Sequence, residues 1–519
     1  MNFGRHDELQ LLLLLAAIGT MLVVSVRSRL PLPVYLVVGG LVLSFVPGAP
    51  TVQLPPNLVL VAILPPLLYS SAFFTGLRDL RANVRPISIL AFGLVAATTV
   101  GIAVVAHAVI AGFSWPSAFV LGAVLSPTDP LAAAEVWTRI GAPRRVVAIV
   151  EGESLVNDGM ALVLYKTAVA AAVAGSFSLW HATWHLVVDI FGGIAIGLAV
   201  GFVVREVRRR TDDTPTEVAL ALLSGYLAFL PAQLAGVSGV LAAVTIGVFM
   251  GWYTPQLTNF QTRLSGDAFW EILVFLVNAL LFALIGLQLH AIVNRLTVNG
   301  SLFADTAYVV GAVIAIRIVW LQVFTYLPGI VRRSMEGPAR WRPALAIAWA
   351  GIRGAVSLAA ALALPVDLPG RDLIVFLTFA VILATLVGQG LTLGPLLRLL
   401  QLGDDGSADR EDAKARVRAA EAALARLDEL ATEEWVRDET AARLRGLYGF
   451  RANRFSARYD GRDDDGVEAQ SAAYQRLIRE LLEAERAAVL DLRNRGVITE
   501  EVMHRVQRDL DLEDSRLDL

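Results

Sequence analysis

The chain reads as a succession of apolar runs, each near the length of a bilayer span, separated by short polar connections. Thirteen runs are predicted to be membrane helices: roughly 9–26, 31–46, 57–74, 86–111, 116–137, 146–173, 182–204, 216–233, 236–252, 268–289, 303–330, 343–364 and 373–399. Segments of this kind hide their backbone polar groups from hydrocarbon by forming helices. After residue 402 the pattern changes. "GDDGSADRED" reads as a linker, and Ala/Leu/Arg/Glu-rich stretches near 410–432, 436–458, 468–493 and 498–516 predict solvated helices interrupted by "DGRDDDG". The expectation is an all-α protein of two parts: a membrane domain over 1–402 and a helical regulatory tail over 403–519.

Composition agrees with this division. Of 519 residues, 56% are hydrophobic and only 18% charged, with a mean hydropathy of +0.60. That leaves too little polar surface for a soluble protein of this size. The net charge of −3 hides an asymmetry: 24 Lys and Arg against 19 Asp and Glu before residue 403, then 20 against 28. The absence of cysteine excludes disulfides, thiolate metal sites and thiol nucleophiles. The first run, "LQLLLLLAAIGTMLVVSV", imitates a signal peptide. It lacks a strong basic leader and is followed by many more spans, so it is predicted to be an uncleaved first helix.

Basic residues set the orientation. Connections holding Arg27 and Arg29, Arg78, Arg81 and Arg85, Arg139, Arg144 and Arg145, and Arg205 and Arg208–Arg210 alternate with connections holding none. The contrast weakens at Arg263 against Arg295. It returns with Arg332, Arg333, Arg340 and Arg342 against Arg371. This predicts an external N-terminus and a cytoplasmic tail.

Ionisable groups inside a bilayer are costly and point to function. Asp129, Asp158, Arg317 and Arg353 each lie about a dozen residues from a span end, near the midplane at roughly 1.5 Å rise per residue. In "SPTDP", Pro127 and Pro130 remove amide donors around Thr128 and Asp129. In "GIRG", Gly351 and Gly354 flank Arg353. Irregular backbone at that depth survives where it lines a cavity or is buried in protein. These two broken spans are seven apart in order, as expected for inverted repeats with two crossing broken helices around an ion site. "EGESLVNDG" supplies Glu153 and Asn157, and Ser154 and Asp158, each pair four apart on neighbouring parts of one helical face. Carboxylate, hydroxyl and freed carbonyl oxygens suit hard monovalent cations. A carboxylate in such a place holds a proton or a cation, and both only at large cost, so it exchanges one for the other.

Other polar residues point elsewhere. Lys166 is expected to reach toward the interface, and His181 and His185 to lie in an external connection without metal. Gly193, Gly197 and Gly201 suggest a helix-packing stripe. His107 and Asp189 are lone polar groups expected to be structural.

"SPTDP", "EGESLVNDG", "GIRGAVSLA" and "PPLLYSSAFFTGLRDLRAN", in this order and spacing, resemble the sodium/proton exchanger branch of the monovalent cation:proton antiporters in its bacterial form, over roughly residues 10–400. The resemblance implies a secondary transporter of Na+ (or Li+ or K+) and H+ in the bacterial plasma membrane, serving pH and sodium homeostasis. It implies no cofactor, no nucleic-acid partner, a homodimer and an elevator-type movement. By motif, Asp158 matches the transported-ion carboxylate and Asn157 its neighbour. Thr128, Asp129 and Ser154 surround the ion, with Asp158, Thr128 and Ser154 as Na+ ligands. Glu153 matches the acid paired with Arg317, and Arg353 the arginine of the broken span. Many relatives carry an acid after "PPLL"; here Ser70 and Ser71 follow. The single titrating carboxylate beside Asn157 leads to an expectation of electroneutral 1:1 exchange. A potassium/proton antiporter of the same fold is the alternative within the family. From other classes, an intramembrane aspartyl protease would need a GxGD sequence and a channel a filter loop, and neither occurs.

Overall fold

The computed structural model describes residues 5–25, 31–46, 58–174, 179–293, 300–326, 341–403, 406–460 and 465–515. These residues are helical with no strands. They divide into two compact units, Met1–Asp404 and Asp405–Leu519.

The first unit contains, in order, α1 (Arg5–Ser25), α2 (Leu32–Ser44), α3 (Leu64–Phe74), α4 (Leu77–Ala82), α5 (Val84–Ser88), α6 (Val95–Val109), α7 (Trp115–Val124), α8 (Leu131–Ile140) and α9 (Arg144–Ala174). It continues with α10 (Leu179–Arg208), α11 (Thr214–Leu234), α12 (Gly239–Leu257), α13 (Phe260–Val293), α14 (Gly300–Tyr326), α15 (Trp341–Trp349), α16 (Ala355–Leu362), α17 (Arg371–Leu383) and α18 (Gly390–Leu399). Wide π-type turns at Leu58–Ile63, Ile89–Leu94 and Ala384–Gln389 run into α3, α6 and α18.

Seven helical stretches among the described residues are long and apolar enough to cross a membrane, and shorter apolar helices include Leu32–Ser44 and Trp115–Val124. α9 is absent from the seven: Glu151, Glu153, Asn157, Asp158 and Lys166 interrupt its apolar run. α13 begins at Phe260, eight residues before the expected 268, because hydropathy sees only the apolar part of a helix. Its extra turns carry Arg263 and Asp267.

The two proline- and glycine-marked spans are each interrupted. Residues 125–130 separate α7 from α8, and residues 350–354 separate α15 from α16. Pro127 and Pro130 lack the amides a continuous helix would need. The largest apolar core gathers around these breaks, with Leu121, Leu125, Ile149, Ile347, Ile352 and Leu386 fully enclosed. A second core joins α10, α11, α12 and α13 through Val204, Ala228, Ile246, Met250 and Trp270. The glycine stripe of α10 is part of that packing: a methyl at Gly197 would sit 2.6 Å from the Ala242 carbonyl oxygen of α12.

Arg208, read from the sequence as a connection residue, is buried instead. It pairs with Glu217 at 3.3 Å, the two side chains 3% and 2% exposed, and donates to Thr254 Oγ1 at 3.1 Å. This ties the ends of α10 and α11 to α12. Arg27, Arg29, Arg295, Arg332, Arg333 and Arg340 lie outside the described residues, as does the side chain of His181.

The second unit holds α19 (Ser407–Leu430), α20 (Asp438–Asp460), α21 (Asp465–Asn494) and α22 (Glu500–Ser515). Arg445 bridges α20 to Asp428 of α19 at 2.6 Å, and Arg486 of α21 forks to Asp511 and Asp514 of α22 at 2.8 Å each. Those carboxylates raise the Arg486 pKa above its ordinary value, with the hydrogen bond to Asp514 the larger cause. Part of "DGRDDDG" lies outside the described residues.

Candidate functional site

The two helix breaks lie against each other. The Asp129 amide donates to the Ile352 carbonyl at 2.8 Å, so each break satisfies backbone groups that the other has lost. Arg353 strengthens the junction. Its Nη1 donates to the carbonyls of Ser126 at 3.1 Å and Pro127 at 3.0 Å, just beyond the C-terminal end of α7. Its own amide donates to Thr385 Oγ1 at 3.1 Å, within the π-type turn before α18. A guanidinium at that helix end meets carbonyls that have no intrahelical donor, and the partial negative charge they carry.

Arg317 of α14 does the same for α15. Its Nε donates to Ala348 O at 3.2 Å and its Nη2 to Ile347 O at 3.2 Å, both in the last turn. The remaining donors form a bidentate pair with Glu153 of α9, Nη1 to Oε1 at 2.5 Å and Nη2 to Oε2 at 2.8 Å, with side chains 2% and 0% exposed. Arg353, the arginine of the broken span, bonds through its side chain to two carbonyls and through its own amide to a hydroxyl.

Both glycines of "GIRG" are required by close approach. A methyl at Gly351 would sit 2.5 Å from Arg317 Nε, and one at Gly354 would strike the Asp129 carboxyl group. The absence of a side chain there lets the second break close on Asp129 and Arg317.

α9 brings its polar face to the first break. Ser154 Oγ donates to Thr128 O at 2.7 Å, and Asn157 Nδ2 donates to Thr128 Oγ1 at 3.1 Å. Thr128 Oγ1 in turn faces Glu153 Oε1 at 3.5 Å. Glu153, Ser154, Asn157 and Asp158 are all buried. Among the described residues, Asp158 Oδ1 and Asn157 Oδ1 have no hydrogen-bond partner. Leaving a buried acceptor unmade costs about 1–3 kcal/mol, and more for a charged one. Asp158 therefore calls for a proton or a cation. Ser154 Oγ and Thr128 Oγ1 each keep a lone pair beyond these hydrogen bonds.

A cavity of about 590 Å³ opens onto this cluster, lined by Thr128, Asp129, Ser154 and Asp158. The far wall is α13, which contributes Asp267, Glu271 and Asn278. Asp267 and Glu271 are exposed and four residues apart on one helical face. The sequence reading missed them, although an acid pair four apart at the start of a span is a visible signal. It missed Ser357 of α16 as well, which also lines the cavity. α3 contributes Ser70 and Ser71 but no carboxylate, and Ser70 Oγ is turned back to Leu67 O at 2.9 Å.

The remaining polar residues stand apart. Lys166 is exposed, and Asp189 accepts the Ser238 amide through its carbonyl at 3.3 Å. His107 stacks on Trp115 at 4.2 Å, with Nδ1 2.7 Å from Phe113 O. Among the described residues no group of three or more His, Cys, Asp or Glu is placed to hold a metal ion.

Crossed helix breaks around buried oxygen ligands, in a chain of many apolar helices, define a multi-pass membrane ion transporter. Residues 12–399 match the family described as sodium/hydrogen exchanger, transmembrane, and the chain belongs to that family. It is 37% identical to an uncharacterized Na(+)/H(+) exchanger of Mycobacterium tuberculosis, over 97% of this chain and 95% of the relative. It is 33% identical to the Na(+)/H(+) antiporter ApNhaP of Aphanothece halophytica, over 78% of this chain and 76% of that one. The fold is similar to that of the sodium proton antiporter MjNhaP1 from Methanocaldococcus jannaschii at pH 8. The TM-score is 0.60 at 19% identity, covering 75% of this chain and 99% of that one.

The protein is accordingly a cation/proton exchanger and not an enzyme. Its family transports Na+ and H+ and needs no cofactor. The intramembrane protease alternative finds no support.

Proposed function

We propose that this chain exchanges Na+ for H+ across the bacterial inner membrane, one for one, with Asp158 as the group for which the two ions compete. The observation that carries the reading is the buried, unpartnered Asp158 Oδ1 beside the crossed helix breaks, at the wall of a cavity. An uncompensated carboxylate there is too costly to persist, so the group is neutralised by a proton on one leg of the cycle and by a cation on the other. Asp158, Thr128 and Ser154 hold the cation. Asn157 orients Thr128. Asp129 stays within the crossing, while the Glu153–Arg317 pair and Arg353 hold the half-helices together. Arginine remains protonated and shuttles nothing.

The wider reading is a thirteen-span topology with an external N-terminus, a homodimer, an elevator movement, and a cytoplasmic regulatory tail over 403–519. Its physiological role is pH and sodium homeostasis. Alternating basic connections support the orientation. The test is proton-linked flux in proteoliposomes driven by an imposed pH gradient, with Na+, Li+ and K+ in turn. Asp158→Asn is expected to abolish exchange while the protein remains folded. Normal flux in that variant would defeat the mechanism, and flux with K+ alone would reassign the cation.

A further inference from the structure

We propose that the Ser357 hydroxyl is a further cation ligand, supplying a neutral oxygen from α16. This rests on the reading of Asp158 as the ion carboxylate and extends its ligand set.

Three observations carry it. First, Ser357 is 0% exposed to solvent, lines the same cavity as Asp158, Thr128 and Ser154, and its Oγ has no hydrogen-bond partner among the described residues. Second, a helical hydroxyl in a membrane bundle has a ready acceptor in the preceding turn. Thr99 donates to Val95 O at 2.9 Å, Ser224 to Leu220 O at 2.6 Å, Thr378 to Ile374 O at 2.7 Å and Thr385 to Val381 O at 2.8 Å. Ser357 is the third residue of α16, so the break and not a full helical turn precedes it, and its oxygen makes no such bond. Third, on α3 Ser70 Oγ is committed to Leu67 O, and neither Ser70 nor Ser71 brings a charge.

The chemistry fits a small hard cation. Such ions take several oxygen ligands, and one carboxylate supplies the charge while neutral oxygens complete the shell. Thr128 and Ser154 come from the first break and α9; Ser357, two residues after Ala355 opens α16, comes from the second. A cation held by all three would contact both broken spans and α9 at once. A bound cation would also offset the cost of leaving that buried hydroxyl unpaired.

The test uses the full chain in proteoliposomes, reading initial exchange rates against Na+ and Li+ concentration at fixed pH. Ser357→Ala is expected to raise the apparent KM for Na+ on the order of tenfold, the equivalent of one lost charge-assisted contact, and to change the Li+/Na+ ratio of KM. Vmax is expected to stay within about twofold by the same reasoning, because Asp158 still exchanges its proton. Ser357→Thr, which keeps the oxygen, is expected to retain the wild-type KM. Should Ala disturb the packing, Ser357→Cys is read in the same way: its soft sulfur is a poor ligand for a hard cation, and the same rise is expected. Stabilisation of purified protein against heat by NaCl gives a second readout, with Ser357→Ala needing about tenfold more Na+ for the same shift. An unchanged KM for both ions in Ser357→Ala, or an equal rise in Ser357→Thr, would overturn the proposal. Asp158→Asn, run beside them, separates the two levels. If it is silent while Ser357→Ala is normal, only the ligand assignment fails; if it still exchanges, the reading beneath fails.

Discussion

Replacing Glu153 with Gln leaves the Arg317 guanidinium buried without a counter-charge. In the native site the two meet through two hydrogen bonds of 2.5 and 2.8 Å, with the side chains 2% and 0% exposed. Breaking such a pair from one side costs about 3–5 kcal/mol, because the surviving charge stays in low dielectric. Arg317→Leu is expected to cost at least as much. It removes the donors to Ile347 O and Ala348 O as well as the pair, and each buried acceptor left unmade adds about 1–3 kcal/mol. The double variant loses those carbonyl bonds once and buries no lone charge. Its total is expected to fall short of the sum of the single losses by about 3 kcal/mol. The assay is equilibrium unfolding of the wild type, both single variants and the double variant in mixed detergent–SDS micelles, followed by tryptophan fluorescence. Losses that add to within about 0.5 kcal/mol would refute the reasoning, because the two residues would then act independently.

Gly354→Ala would place a methyl 2.6 Å from Asp129 Cβ and Cγ; it is expected to cost about 1–3 kcal/mol and most of the exchange, as read by melting and flux. Wild-type values for both would contradict the close approach. Exchange is expected to be electroneutral, because Asn157 does not titrate and Arg317 and Arg353 stay charged. The check sets equal and opposite pH and Na+ gradients across proteoliposomes, then clamps a potential with potassium and valinomycin. A potential is worth about 2.3 kcal/mol per charge per 100 mV, so net Na+ movement following its sign would exclude 1:1 stoichiometry. Deleting residues 403–519 is expected to preserve flux and shift its dependence on pH or effectors, since every proposed ion-site residue lies before residue 403. A folded truncation without flux would contradict that division.

The pattern of apolar and polar positions was enough to establish a helical, multi-pass membrane protein. Each segment's preference for hydrocarbon or water is a property of that segment alone. The motifs were enough to establish the family. The four-residue spacings of Glu153 to Asn157 and Ser154 to Asp158 were enough to put their side chains on neighbouring parts of one face of α9. Which atoms meet was decided only by the tertiary structure. Arg353 Nη1 reaches Ser126 O across 227 positions of sequence, and Arg317 divides its donors between Glu153 and the end of α15. Ser357 and Ser224 are the same letter in apolar helices, yet one hydroxyl bonds its own helix and the other has no hydrogen-bond partner. Arg208 counts as a connection charge until α11 and α12 enclose it. The physical reason is common to all of these. Burial preference is read one residue at a time, whereas hydrogen bonds and cavities belong to pairs of surfaces that only packing brings together.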